Sequence, residues 1–249
     1  MGRILIILLI TSVFGCTGKK ESVRDPQIIV DKSIEASGGE LYRSSDISFT
    51  FREREYRLNR KAGKRLLMRI TETDTARIED LLSGSSFERR IDGQIQSLPD
   101  STSLSLAEAV NSVHYFAYLP KGLNDAAVNK TYLGPGKLGD ADYHKIQVTF
   151  DQEGGGTDFE DVFVYWFNTE TFHPDYLAYE YHTNGGGKRF REAFNAREVG
   201  GIRFVDYRNY KYSGTLPVSE LDSLFLRDEL EFLSLIKLEK IKVTPGNYN

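Results

Sequence analysis

From Tyr143 to Tyr212 the chain reads as five strands in succession, and no other stretch limits the fold as strongly. YHKIQVTF, DVFVYWFN, DYLAYEYHT, KRFREAFNAREV and IRFVDYRNYKY are separated only by DQEGGGTDFE, TETFHP, NGGG and GG. A parallel pair of strands needs a crossover of roughly a dozen residues or more, so links this short join neighbours that run in opposite directions. The expected unit is an antiparallel meander. VFVYWF and DYLAYEY are apolar or aromatic at successive positions, so both faces of that part of the sheet must be covered.

The remainder supplies more strands and the elements that cover them. In DISFTFREREYRL, Ile47, Phe49 and Phe51 alternate with Ser48, Thr50 and Arg52, which predicts a strand with one buried face. Leu66, Met68 and Ile70 predict a second, and ARIEDLLS a third. FERRIDGQIQSL is two runs joined at Asp92-Gly93, a pair suited to the positive φ angles of a type I′ turn. FLSLIKLEKIKV is a final strand. Two segments have helical spacing instead. IIVDKSIEA (28–36) ends at Gly38-Gly39, and SLSLAEAVNSVHYFAY (103–118) carries apolar residues three and four apart and ends before Pro120. Residues 119–140, rich in Gly and Pro, read as a loop crossing. The expected fold is mainly β (α+β): a single antiparallel curved sheet of about ten strands, an unclosed half-barrel, with two or three helices on its concave side.

The N-terminus indicates location. Met1-Gly2-Arg3 is a short basic start, and Ile4 to Ile10 is unbroken Ile and Leu, with Val13 and Phe14 beyond. A run this short falls below the roughly 20 residues that span a bilayer and fits a secretory signal peptide. The single cysteine, Cys16, follows Gly15 at the place of cleavage. Val13-Phe14-Gly15-Cys16 resembles a bacterial lipobox, although Phe14 is bulkier than that pattern's usual residue. The resemblance implies acylation of Cys16, with residues 1–15 as signal peptide, 16–27 as an acylated tether and 28–249 as the folded domain. Two or more acyl chains hold a protein firmly at a membrane. Thr17, where an aspartate would favour retention at the inner membrane, leans the expectation towards the outer membrane of the cell envelope.

The chain as a whole resembles a family of uncharacterised bacterial lipoproteins. The resemblance rests on Ala36-Ser37-Gly38-Gly39, Asn111 to Pro120 (NSVHYFAYLP), Leu123-Asn124-Asp125, Gly154-Gly155-Gly156, Tyr165-Trp166, Leu177-Ala178-Tyr179, Arg189-Phe190-Arg191 and Asp206-Tyr207. In architecture it is similar to the LolA/LolB-type carriers, which implies an unclosed β-barrel with a cavity between sheet and helices. A cavity of that kind suits a lipid or a lipoprotein acyl chain.

The chemistry legible in the residues is sparse. Lys and Arg number 32 against 36 Asp and Glu, so the charge of −4 offers nucleic acid no basic face. His114, His144, His173 and His182 show no metal-ligand spacing, and no cofactor motif is present. NGGGKRF lacks the Ser or Thr of a phosphate loop and precedes a strand, so it reads as a hairpin turn. The candidate ligand-binding residues are Asn111, His114 and Tyr115 on the central helix, Tyr165, Trp166, Tyr179 and Tyr181 in the meander, and Arg189 and Arg191, which share one strand face and could grip an anionic head group. Three readings stand: a lipid-anchored binding protein, a hydrolase using His114 with Asp125 or Glu108 in the same cavity, and a structural lipoprotein that docks a partner.

Overall fold

The structure is a computed structural model that describes residues 24–61, 64–156 and 158–246. Cys16, the expected signal peptide and most of the expected tether lie outside the described residues. Within them, fourteen strands form two antiparallel sheets of seven, neither closed on itself. The mainly β, unclosed antiparallel architecture with a few helices is as expected, while the single sheet of about ten strands is divided.

The first sheet has the order β14-β1-β2-β3-β4-β5-β6. It comprises β1 (Ser45–Phe51), β2 (Arg54–Lys61), β3 (Lys64–Glu72), β4 (Arg77–Ser83), β5 (Ser86–Ile91), β6 (Gln94–Ile95) and, from the far end of the chain, β14 (Glu239–Pro245). The second is β7 (Val128–Leu138), β8 (Ala141–Phe150), β9 (Val162–Asn168), β10 (Pro174–Tyr181), β11 (Gly187–Val199), β12 (Ile202–Tyr212) and β13 (Glu231–Ile236), paired in that sequence. The meander expected from residue 143 onwards is β8 to β12.

Three strands were not anticipated, and each has a physical reason. DISFTFREREYRL folds as a hairpin, because Arg52 and Glu53 both take positive φ, 48° and 64°. Non-glycine residues adopt that region uncommonly, and here the pairing of β1 with β2 on either side holds them there. Residues 128–138 form a strand although they contain Pro135. β7 lies at a sheet edge, where a missing N–H breaks no ladder, and Gly134 (φ 117°) lies at its irregularity in register. FLSLIKLEKIKV is two strands, β13 and β14, which pair with β12 and β1 in different sheets.

The passage from β13 to β14 is pinned by Asp206 of β12. Its buried carboxylate accepts from the Leu238 N–H at 3.0 Å, from Asn195 at 2.7 Å and from Arg197 at 2.9 Å. Three charge-assisted or amide donors satisfy a carboxylate that burial would otherwise make costly.

Helices fill the space between the sheets. α1 (Pro26–Ala36) starts at Asp25, whose side chain accepts from the N–H groups of Gln27 and Ile28, with Pro26 in the first turn. It packs against β7 and ends at Gly38, where φ is +131° and an added Cβ would lie 3.1 Å from the Gly201 oxygen. α2 (Leu41–Ser44) leads into β1. α3 (Asp100–Ala117) crosses β3, β4 and β5 and begins three residues before the expected start. Ile29 and Val30 of α1, Val110 and Val113 of α3, and Phe49, Leu58, Ile146, Tyr165, Phe204 and Tyr207 of the strands share one buried core. α4 (Leu221–Phe225), together with the turn Val218–Glu220, lies on the other face of the second sheet, over β9, β10 and β11. There Val164, Trp166, Ala178 and Phe190 meet Val218, Leu221 and Leu224 in a second core. The second sheet is therefore covered on both faces, as its apolar runs require, and only α1 and α3 take the inner position.

Candidate binding site on the inner face

Alternation assigns the candidates to faces. On β9, Phe163, Tyr165 and Phe167 turn to the inner core, and Val164 and Trp166 turn away. Leu177 and Tyr179 on β10 are inward, with Tyr181 in step with them. Register then sets Tyr165 beside Leu177, Leu177 beside Arg191, Arg191 beside Asn209 of β12, and Asn209 beside Ser234 of β13. One residue pair further along the strands, Phe163, Tyr179, Arg189 and Lys211 form the adjacent row.

Arg191 is the centre of this arrangement. Its guanidinium lies 5.0 Å from the Tyr179 ring, 5.5 Å from Phe116 of α3 and 6.0 Å from Tyr207. Nη2 donates to the Tyr179 hydroxyl at 2.9 Å. Among the described residues no carboxylate pairs with it, and its buried Nε has no hydrogen-bond partner. The same is true of the buried Asn209 Oδ1, next to it in register, and of the hydroxyls of Tyr115 and Tyr165. The two phenols face one another closely enough to interact but without a well-aligned hydrogen bond, and burial pushes both above the ordinary tyrosine range. An unmade buried hydrogen bond costs on the order of 1–3 kcal/mol. The guanidinium and the phenol hydroxyls can donate to an anionic group whose tail packs against rings, while Asn209 Oδ1 can only accept from a donor beside it. Arg189, with Nη2 donating to Tyr181 at 2.7 Å, extends the cationic edge.

The other candidates fall elsewhere. Trp166 is fully buried beneath α4, where its Nε1–H donates to Asp222 at 3.0 Å, and it is separated from Tyr165 by the thickness of the sheet. Asn111 is exposed on α3. His114 is buried among Phe49, Tyr56 and Tyr118. Nε2 lies 3.1 Å from the Met68 carbonyl, which only accepts, so Nε2 carries the proton and Nδ1 accepts from the Tyr118 hydroxyl at 3.1 Å. Both ring nitrogens are thus engaged, neither by Asp125 nor by Glu108.

Burial drives the His114 pKa down to about 4, whereas an unfolded chain binds the proton near 6.5. The neutral ring therefore supports the fold fully above pH 6.5, and that support is lost as pH falls towards 4, by roughly 3 kcal/mol in total. Urea unfolding at pH 7.5 and 4.5 should show a loss of that size beyond the loss in His114→Gln; equal losses would contradict it.

A charged cluster not foreseen from sequence lies on the inner face of the first sheet. Arg69, Asp80 and Arg89 are successive partners across β3, β4 and β5. Asp80, 1% exposed, accepts from Arg69 at 2.6 and 3.0 Å and from Arg89 at 2.6 and 3.0 Å. The signal was parity, since each residue is two positions from an inward Leu67, Leu82 or Phe87.

No three His, Cys, Asp or Glu side chains among the described residues are grouped for a metal ion, and no helix there is long and apolar enough to cross a membrane.

A model of a family of unknown function, DUF6503, matches residues 2–240. The chain belongs to that family. A search of curated proteins finds no match. Among solved structures the chain is similar to a LolA superfamily protein from Nitrosomonas europaea, at 15% identity over 87% of this chain and 92% of that one, with a TM-score of 0.47. It is also similar to a DUF1329 family protein from Desulfovibrio piger, at 8% identity over 88% and 93%, with a TM-score of 0.48. The Mycobacterium tuberculosis lipoprotein LppX is a more distant likeness, at 12% identity over 65% and 91%, with a TM-score of 0.28.

Proposed function

We propose that this protein is a non-enzymatic binding protein of the cell envelope, anchored through acyl chains on Cys16, whose ligand is an amphipathic molecule with an anionic head. The head sits at Arg191, and the apolar part, a lipid or lipoprotein acyl chain, runs along the rings of the inner face. The observation that carries the reading is the Arg191 guanidinium, held between three aromatic rings with no carboxylate partner among the described residues and a buried Nε left without a hydrogen bond. Phe116, near the end of α3, covers one side of the guanidinium. The engagement of both His114 nitrogens by Tyr118 and Met68 favours binding over the hydrolase reading.

Displacement of a fluorescent fatty acid from the full chain in non-ionic detergent tests the proposal. Arg191→Gln should weaken binding by about tenfold or more, the worth of a charge-assisted hydrogen bond. It should leave the melting temperature unchanged or higher. Affinity equal to that of the unaltered chain would overturn the head-group assignment.

A further inference from the structure

A second cationic feature lies away from Arg191, in a cleft of about 440 Å³ between α1, the β2–β3 hairpin and the turn Lys121–Asn124. Arg60 and Arg65 stand directly opposite one another on β2 and β3, an arrangement of like charges that costs stability in a sheet. Lys121 joins them from the turn, which begins directly after Pro120. Two neighbouring strands and a turn distant from them in sequence thus bring three cations to one cleft, with Arg43 a fourth in its lining.

The lining holds four acids against four cations, and the balance favours positive charge locally, around Lys121. Asp31 accepts from the side-chain amides of Gln27 and Asn124, at 2.8 and 2.6 Å. Glu40 is paired with Arg43. Glu35 lies against Gly39. Asp125 faces Lys121, yet its pull is weaker than the push of Arg65 and Arg60. Desolvation and those two arginines bring the Lys121 pKa down to about 8. A second anion added among these groups would relieve the repulsion and hold Lys121 charged.

We propose that this cleft is an anion site, taking a phosphate group either free or as the head group of an anionic lipid, with Arg65 and Lys121 as its donors; Arg60, whose Nη2 already donates to the Tyr42 carbonyl at 2.7 Å, adds positive charge beside them. The site is separate from the Arg191 position, and each can fail without the other. A guanidinium from a strand and an ammonium from a turn that converge in this way match the several oxygens of a phosphate.

The test uses the full chain in non-ionic detergent at low ionic strength, where screening is weak. Inorganic phosphate is titrated in one arm. Micelles doped with phosphatidylglycerol, against phosphatidylcholine, form the other. Binding in the first arm identifies a free phosphate ligand, and binding in the second arm alone identifies a lipid head group; either supports the site. In both cases Arg65→Gln with Lys121→Gln should weaken binding at least about tenfold, while Lys137→Gln, on β7, should not. Melting of the unaltered chain gives a reading that does not depend on the variant folding: phosphate or the anionic lipid should raise its melting temperature above that in chloride of equal ionic strength. No rise and no binding in either arm, or equal binding by the double variant, would overturn the proposal.

Discussion

Asp80→Asn should destabilise the protein by about 3–5 kcal/mol, the usual cost of removing one partner from a buried ion pair. Asp80 is nearly inaccessible and holds two arginines, one of them, Arg69, also buried. The asparagine fits the same space but leaves two cations facing one another under α3. Arg89→Gln should cost much less, because Arg89 is about a fifth exposed and Asp80 keeps Arg69. Chemical denaturation of the two variants compares them directly. A loss below about 1 kcal/mol for Asp80→Asn would place the carboxylate in the class of exposed ion pairs, against the geometry described.

Trp166→Ala should cost a similar amount, about 3–5 kcal/mol, for a different reason: it opens a hole in the second core. The ring packs on Phe190 at 5.6 Å and lies under Lys145 at 5.2 Å, and its Nε1–H holds Asp222 in α4. Lys145 pairs with the same Asp222 at 2.6 Å, so the change also loosens α4 from the sheet. Trp166→Phe should retain much of the packing and lose less. Both variants should bind the fluorescent fatty acid as the unaltered chain does while folded, because Trp166 faces away from Arg191. Selective loss of binding in a folded Trp166→Phe protein would show that the two faces of the sheet are coupled.

What the sequence disclosed follows from the kind of signal each element carries. The meander was legible because its alternation is strong and its links are too short for any other connection. The Arg52-Glu53 hairpin was not, because neither residue advertises positive φ. β7 was hidden by Gly134 and Pro135, which mark a loop unless the strand is known to be an edge. The change of sheet at Lys237-Leu238 was invisible, because alternation records which face is buried but not which strand is paired. Site residues were partly legible. Arg189 and Arg191 share a face by parity, as expected, and Tyr165, Tyr179 and Tyr115 join Arg191. Tyr165 and Trp166, adjacent on one strand, could not both face inward, and only the position of α4 shows which face each core occupies. Arg69, Asp80 and Arg89 needed the register of three strands before their charges could be seen to meet.

Native mass spectrometry of the full chain, extracted gently in non-ionic detergent from the membranes in which it is made, tests the central claim most directly. The account predicts a co-purifying amphipathic molecule with an anionic head, present on the unaltered chain and on folded Trp166→Phe, and lost from Arg191→Gln. A chain that emerges without such a molecule, and takes up none when anionic lipid is supplied, would contradict it.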